Sequence, residues 1–173
     1  MNDPLILYDH EEEIIEASVQ KNLLASMDTN GTVLVRDLNN NQNTIISYNA
    51  SKGGSMACET GFLLFNVQFA NEIFVFFNNE LEVFDGKGQC LQNYVFEDNV
   101  QCAIQDEDSL IVAFQNGGIA CYNWNQDKIS DSLKGIGPVK SFAISVPVKV
   151  SKPEKILVCG CESGELIIIR NAK

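Results

Sequence analysis

The sequence predicts an all-β fold built from short antiparallel strands. Apolar residues make up 45 % and charged residues 20 % of the 173 residues, which is typical of a globular domain. Glycine outnumbers proline by 12 to 4, and Phe, Val and Ile are frequent, which favours strands. The stretch LASMDTNGTVLVRD, residues 24–37, joins two apolar runs through an Asn-Gly turn. This is the pattern of a β-hairpin, and we expect a type I′ turn with positive φ at Asn30 and Gly31.

Short apolar runs, separated by polar or glycine-containing turns, predict the remaining strands. Residues 14–19 follow a Glu-rich stretch that is also compatible with a helix, but nearby strands on both sides favour a strand. The segment 49–60 is the longest predicted loop. Besides the hairpin, the expected strands are 5–8, 14–19, 44–48, 62–69, 73–77, 80–85, 90–96, 100–104, 110–114, 119–124, 128–133, 139–146, 156–161 and 165–170.

The hairpin turn recurs along the chain. Gly31, Asn79, Gly117 and Gly164 occupy equivalent positions, at spacings of 48, 38 and 47 residues. A recurring unit of about 40–45 residues with four short strands is the signature of a propeller blade. Such a unit cannot bury both faces alone and therefore stacks on its neighbours. The sequence predicts one domain over 1–173, with repeats at approximately 11–48, 49–96, 97–133 and 134–173.

The repeats resemble a known family. LASMDTNGTVLVRD is similar to the second half of a WD repeat over its 14 residues, with Arg36 where tryptophan is usual. LKGIGPVKSFAIS, residues 133–145, resembles the start of such a repeat, with Ile136 in place of the usual histidine. NELEVFD and NGGIACYN are weaker copies, with Phe84 and Tyr122 in the tryptophan position. The resemblance covers essentially the whole chain and implies a WD-type β-propeller.

The resemblance also implies which residues hold the blades. Family blades often contain a buried network of His, Ser or Thr, Asp and Trp. The first repeat approaches it with His10, Ser26 and Asn30, whereas positions such as Ile136 and Ile169 are apolar, so packing and strand ladders are expected to dominate. The residues with expected structural roles in the blades are Ser26, Asn30, Gly31, Asp37, Asp85, Gly117 and Gly164.

The sequence leaves more than one way for the ring of blades to close. In the family, each repeat begins with the outermost strand of the preceding blade, so the resemblance implies that strand 5–8 completes the last blade and protects its edge. Four repeats are fewer than family members usually have. Three arrangements remain: a closed ring of four blades, a homodimer of eight blades that exchanges N-terminal strands, or a half-ring completed by another protein.

Charge and composition restrict the partners. A net charge of −11 argues against nucleic acid and anionic membrane surfaces and favours a basic protein segment. No apolar run approaches the ~20 residues of a membrane helix. The N-terminus lacks signal-peptide features, which predicts a cytoplasmic location with the nucleus as the alternative. The six cysteines form no CxxC pair, so we expect buried, reduced thiols.

No catalytic or metal-binding constellation emerges. His10 is the only histidine, which excludes His-pair metal sites, and it is expected to be structural. The glycine pairs lack the lysine of a P-loop, and residues 28–31 lack the spacing of a calcium loop. Cys159 and Cys161 are expected to pack in the core. We therefore expect no catalytic residue, no metal and no cofactor.

The expected function is a non-enzymatic protein–protein interaction scaffold or adaptor, a subunit of a larger complex. The alternative is a small propeller enzyme or metal-binding propeller with a site in its central channel. The acidic run Glu11–Glu13 is interpreted either as a solvated loop or as a docking patch for a basic peptide. The candidate partner-binding loops contain His10, Glu11, Glu12, Glu13, Ser51, Lys52, Glu97, Asp98, Asn99 and Ile136.

Overall fold

The structure, a computed structural model, describes residues 10–39, 44–49, 61–66, 72–145 and 155–170. Within these ranges the chain forms four antiparallel sheets, which we call blades 1 to 4 in chain order. Blade 1 contains β1 (Ile14–Gln20), β2 (Leu23–Asp28), β3 (Thr32–Asp37) and β4 (Thr44–Asn49). Blade 2 contains β5 (Gly61–Phe65), β6 (Ile73–Phe77), β7 (Glu80–Phe84) and β8 (Cys90–Val95), and blade 3 contains β9 (Val100–Asp106), β10 (Ser109–Phe114), β11 (Ile119–Asn123) and β12 (Lys128–Leu133). Blade 4 contains β13 (Val139–Ser145), β14 (Ile156–Cys161) and β15 (Leu166–Arg170).

The strands of each blade pair in chain order, as in a β-meander. The first strands stack in series, because β1 packs on β5, β5 on β9, and β9 on β13. No comparable packing joins β13 to β1 among the strands described. The architecture confirms the predicted all-β fold with blade-like antiparallel sheets.

The sequence located most described strands within one or two residues of their observed ends, and the helical alternative for 14–19 is wrong, since β1 is a strand. Of the predicted strand 62–69, β5 ends at Phe65, although the N–H of the fully buried Asn66 still donates to the carbonyl of Glu72 at 2.9 Å. Residues 67–69 of this prediction lie outside the described residues. The predicted strand 5–8, and most of the predicted loop 49–60 with Ser51 and Lys52, lie outside the described residues.

The hairpin turns differ from the type I′ prediction. Gly31, Gly117 and Gly164 have φ of 75°, 82° and 88°, but Asn30 is not among the residues with positive φ. The Gly31 N–H donates to the Asp28 carbonyl at 2.9 Å, which closes a three-residue turn. The Asp28 carboxylate also accepts the N–H of Asn30, at 3.0 Å, and holds it in an ordinary conformation. Blade 2 instead has a two-residue turn, with positive φ at Asn78 rather than at the aligned Asn79.

Asp and Asn side chains also cap the third strands of three blades. Asp37 Oδ1 accepts the N–H of Asn39 at 2.9 Å, and Asp85 Oδ1 accepts the N–H groups of Lys87 and Gln89 at 2.8 and 2.9 Å. Asn123 Oδ1 accepts the N–H of Gln126 at 3.0 Å. An acceptor at this position satisfies backbone donors that the ending strand leaves unpaired, and the chain turns there.

Three apolar interfaces hold the blades together. Between blades 1 and 2 the buried side chains are mostly aliphatic, with Met27 and Val35 facing Leu63 and Val75. The interface of blades 3 and 4 is mostly aliphatic, with the half-buried Phe142 at its margin, and contains the buried Cys159. The interface of blades 2 and 3 is aromatic, and its aromatic members are Phe62, Phe74, Phe76, Tyr94, Phe96, Phe114, Tyr122 and Trp124.

One buried polar cluster reinforces blade 1. His10 Nδ1 lies 3.0 Å from Asp28 Oδ2, and His10 Nε2 lies 2.7 Å from Ser26 Oγ. Asp28, not the expected Asn30, therefore completes the network with His10 and Ser26. Burial alone would raise the pKa of Asp28, but hydrogen bonds from His10 and from the Thr32 N–H outweigh it, and the pKa lies below the ordinary 3.8.

The lowered pKa of Asp28 links the stability of blade 1 to pH. A carboxyl group whose pKa is lower in the folded state stabilises the fold above the unfolded-state pKa, and this contribution disappears as the pH falls through the folded-state pKa. We therefore expect Asp28→Asn to lower the free energy of unfolding by about 2 kcal/mol at pH 7, and the difference from wild type to shrink below pH 4. Urea unfolding at both pH values measures this.

Asp85→Asn is the matched control, because Asp85 also accepts two backbone N–H bonds but is only partly buried and has no histidine partner in these bonds. It should change the stability much less at neutral pH. An Asp28→Asn variant as stable as wild type at pH 7 would contradict the proposed role of the cluster.

Candidate functional site

A groove of about 450 Å³ lies along blade 3, and we call it the blade-3 groove. Its floor and walls come from the turn after β10 and from the outer strands β11 and β12. Ile129 and Leu133 on β12 are 40 % and 45 % exposed, although both are large and aliphatic. Residues on the groove lining include Glu97, Asp98, Phe114, Ile119, Ile129, Leu133 and Lys134.

Two of the predicted partner-binding loops meet at this groove. Glu97 and Asp98 from the loop before β9 lie on one side, and Lys134 and Gly135 from the loop after β12 also line it. Asp98 fixes the geometry, because its carboxylate accepts the N–H of Asn99 and, at 2.8 Å, the N–H of Asn116 in the adjacent turn. Glu97, in contrast, is an exposed residue. The rim therefore combines a fixed carboxylate, an exposed one and an ammonium group.

Other candidate residues have different surroundings. Ile136 packs against the interface of blades 3 and 4, and its N–H donates to the Gly117 carbonyl at 3.2 Å. The side chain of His10 is only 5 % exposed, so its imidazole is committed to blade 1 rather than to a partner. Glu11, Glu12 and Glu13 are exposed on blade 1 and do not line the groove.

Sequence reasoning missed Ile129 and Leu133. The strand KISDSL contains apolar residues at its second and last positions, which is compatible with a half-buried outer strand. Ile129 pairs with Tyr122 and Leu133 with Ile119 on β11, and the exposure of both depends on how far the neighbouring blades extend toward the outermost strand, which no local pattern encodes. In the structure β12 pairs with β11 only among the described strands, so it is the outermost strand of blade 3.

A second cavity, of about 470 Å³, lies where the first strands of the four blades converge. Glu16 supplies a carboxylate and Lys140 an ammonium group, and Lys140 Nζ donates to Gln101 Oε1 at 3.0 Å. Within the described ranges, no three His, Cys, Asp or Glu side chains lie close enough together to hold a metal ion.

The thiols near this cavity are protonated at neutral pH. Burial, with a smaller effect of Cys159, raises the pKa of Cys102 to about 12, and burial raises that of Cys159 to about 11. All five described cysteines are free. Cys90 is exposed, against the expectation of burial, because it begins the outermost strand β8. None of the described segments is a helix long and apolar enough to span a membrane.

Comparisons with known proteins identify the architecture. No family model and no curated protein matches the chain. Among solved structures it is similar to Sqt1 of Saccharomyces cerevisiae, with a TM-score of 0.79 and 16 % identity, over 92 % of this chain and 46 % of the Sqt1 chain. It is also similar to the computationally designed Ika4 protein, with a TM-score of 0.74 and 17 % identity, over 98 % of each chain.

The designed Ika8 protein gives a TM-score of 0.71 and 17 % identity, over 94 % of this chain and 47 % of Ika8. This chain therefore spans just under half the length of Sqt1 and of Ika8. Together with the four antiparallel sheets, these likenesses define the class: the protein has a β-propeller-type fold.

Proposed function

We propose that this protein is a non-enzymatic interaction scaffold, a WD-type subunit of a larger complex that binds a protein partner. One observation carries the proposal: two predicted loops meet at the blade-3 groove, where Ile129 and Leu133 remain exposed. Exposed aliphatic side chains in a concave surface with a polar rim are typical of protein-binding sites.

The chemistry of the groove supports a peptide with both apolar and basic side chains. Ile129 and Leu133 offer apolar contacts, and Glu97 offers a carboxylate at the rim. The net charge of −11 adds a long-range attraction for a cationic segment. The exposed run Glu11–Glu13 supplies a second acidic surface for the same kind of partner. Five free thiols fit the proposed cytoplasmic or nuclear location.

The experiment uses a random peptide display library selected on the wild-type chain. We expect the selected peptides to combine Lys or Arg with aliphatic residues. Ile129→Asp and Leu133→Asp should each weaken peptide binding by about tenfold or more, equivalent to about 1.4 kcal/mol, because they place a charge against an apolar ligand group. Glu97→Lys should weaken binding and flatten its salt dependence. Titration with labelled peptide at two salt concentrations measures both effects.

Leu91→Asp is the matched control, since Leu91 is 51 % exposed on the outermost strand of blade 2 and does not line the groove. It should leave binding unchanged. Selected peptides whose binding is indifferent to substitutions at Ile129 and Leu133 would refute the groove as the binding site.

A further inference from the structure

The outer face of blade 4 is apolar and uncovered by any described blade. On its inner face, Cys159 and Leu157 pack against blade 3. The opposite face presents a row across three strands, in which Val158 pairs with Ala143 on one side and with Ile168 on the other. Ile168 is 61 % exposed, and Leu166 in the adjacent row is 74 % exposed. These are the most exposed large apolar side chains of blade 4.

The corresponding face of blade 1 is only partly apolar. Ala25 and Met27 pack on blade 2, so the neighbouring positions of β1 and β2 lie on the opposite face. Val19 on that face is 61 % exposed, and it pairs with the half-buried Leu24. The same face of blade 1 also carries the buried polar residues Ser26, Asp28 and Arg36. The series of blades thus ends in an apolar face at blade 4 and in a face of mixed character at blade 1.

The two ends also carry opposite charge. The described part of the fourth unit has four basic side chains and two acidic ones, namely Lys134, Lys140, Lys155 and Arg170 against Glu162 and Glu165. The described part of the first unit has six acidic and two basic ones, namely Glu11, Glu12, Glu13, Glu16, Asp28 and Asp37 against Lys21 and Arg36. Within this count, Lys155 Nζ already lies 3.0 Å from Asp106 and 3.2 Å from Glu107 of blade 3, and Lys140 Nζ lies 3.3 Å from Glu162. The difference in net charge between the two units favours contact of the fourth unit with the first over contact between like ends.

We propose that the outer face of blade 4 is covered by blade 1 of a second copy of this chain. The reciprocal contact forms at the other end, so that a two-fold dimer closes a ring of eight blades. Such a joint continues the packing that already connects each blade to the next. A head-to-tail contact between two copies forms a closed ring when the rotation between them permits, and two-fold closure covers the apolar face of blade 4 in both copies.

The lengths of two of the three similar structures are compatible with this arrangement, whereas Ika4 matches this chain over 98 % of both. Sqt1 and Ika8 are each about twice as long as this chain and match it over just under half of their length. Two copies of this chain therefore supply the length that one Sqt1 chain contains. None of the residues in the apolar rows described above lines the blade-3 groove, although Lys134 of the charge count does.

Light scattering of the purified chain over a wide range of concentrations tests the proposal. We expect a mass of about twice 19.1 kDa, with dissociation promoted by high salt because the ends carry opposite charge. Ile168→Glu should give a folded monomer, as judged by circular dichroism. Leu91→Glu, which alters a residue on β8 that is 51 % exposed, should remain dimeric. A wild-type monomer throughout, or a dimer that survives Ile168→Glu, would overturn the proposal.

A second measurement does not depend on the variant. An equal mixture of unlabelled and isotopically labelled protein is cross-linked with a carbodiimide, which joins lysines to carboxylates in contact. Cross-links between copies should connect Lys140 or Lys155 of one copy with the segment Glu11–Glu16 of the other. Cross-links confined to single copies, or joining the same blades of two copies, would refute the joint between blades 4 and 1.

Discussion

Phe74→Ala should lower the free energy of unfolding by about 4 kcal/mol, one of the two largest effects we expect. Phe74 is fully buried on β6, where it faces blade 3, and its ring centroid lies 5.1 Å from that of Trp124. Removing the ring leaves a cavity between two rigid sheets that cannot collapse to fill it, so the cavity cost adds to the lost burial. Urea unfolding followed by far-UV circular dichroism measures the change.

Val95→Ala is the control for this prediction, because Val95 is 57 % exposed on the outermost strand of blade 2. It should alter the stability by no more than about 0.5 kcal/mol. If Phe74→Ala cost as little as the control, the aromatic interface of blades 2 and 3 would not be a main source of stability.

Gly117→Ala should be the second strongly destabilising change, with a loss of roughly 3 kcal/mol. Gly117 has φ of 82°, which a side chain disfavours. A Cβ at this position would also lie 2.8 Å from three backbone atoms of Gly137, so the loop after β12 would have to move. Backbone atoms cannot rotate away as a flexible side chain can, and the steric cost adds to the conformational one.

Gly164→Ala separates these two costs. Gly164 occupies the same turn position in blade 4, with φ of 88°, but nothing lies within 4 Å of the point that a Cβ would occupy there. Only the conformational cost, about 1 kcal/mol, should remain. Thermal and urea unfolding of the two variants in parallel test the difference, and equal losses would show that the approach of Gly137 is unimportant.

The hairpins were predictable because their signals are local. Alternating apolar residues located the strands, and the turn glycines Gly31, Gly117 and Gly164 all have positive φ. The role of Asp28 was not predictable in the same way. It depends on where a three-residue turn places a carboxylate relative to His10, and that distance is set by sheet geometry rather than by sequence spacing.

The site was only partly predictable for a related reason. Polar loops with Glu97 and Asp98 were identified from composition, but the exposed Ile129 and Leu133 were not. An alternating strand shows which residues share a face, not whether another sheet covers that face. The same limit applies to the aromatic interface, since Phe74 and Trp124 are fifty residues apart and only the stacking of blades brings them together.

The position of Trp124 has a practical consequence for spectroscopy. It is the only tryptophan of the chain and is 6 % exposed, with its ring against Phe74 between blades 2 and 3. Its fluorescence therefore reports on one interface and is silent about the aliphatic contacts at either end of the series. Backbone ellipticity averages over all the sheets. If the two optical signals change at different denaturant concentrations, an intermediate is populated. In this intermediate the terminal blades have separated, while the aromatic interface of blades 2 and 3 still excludes water.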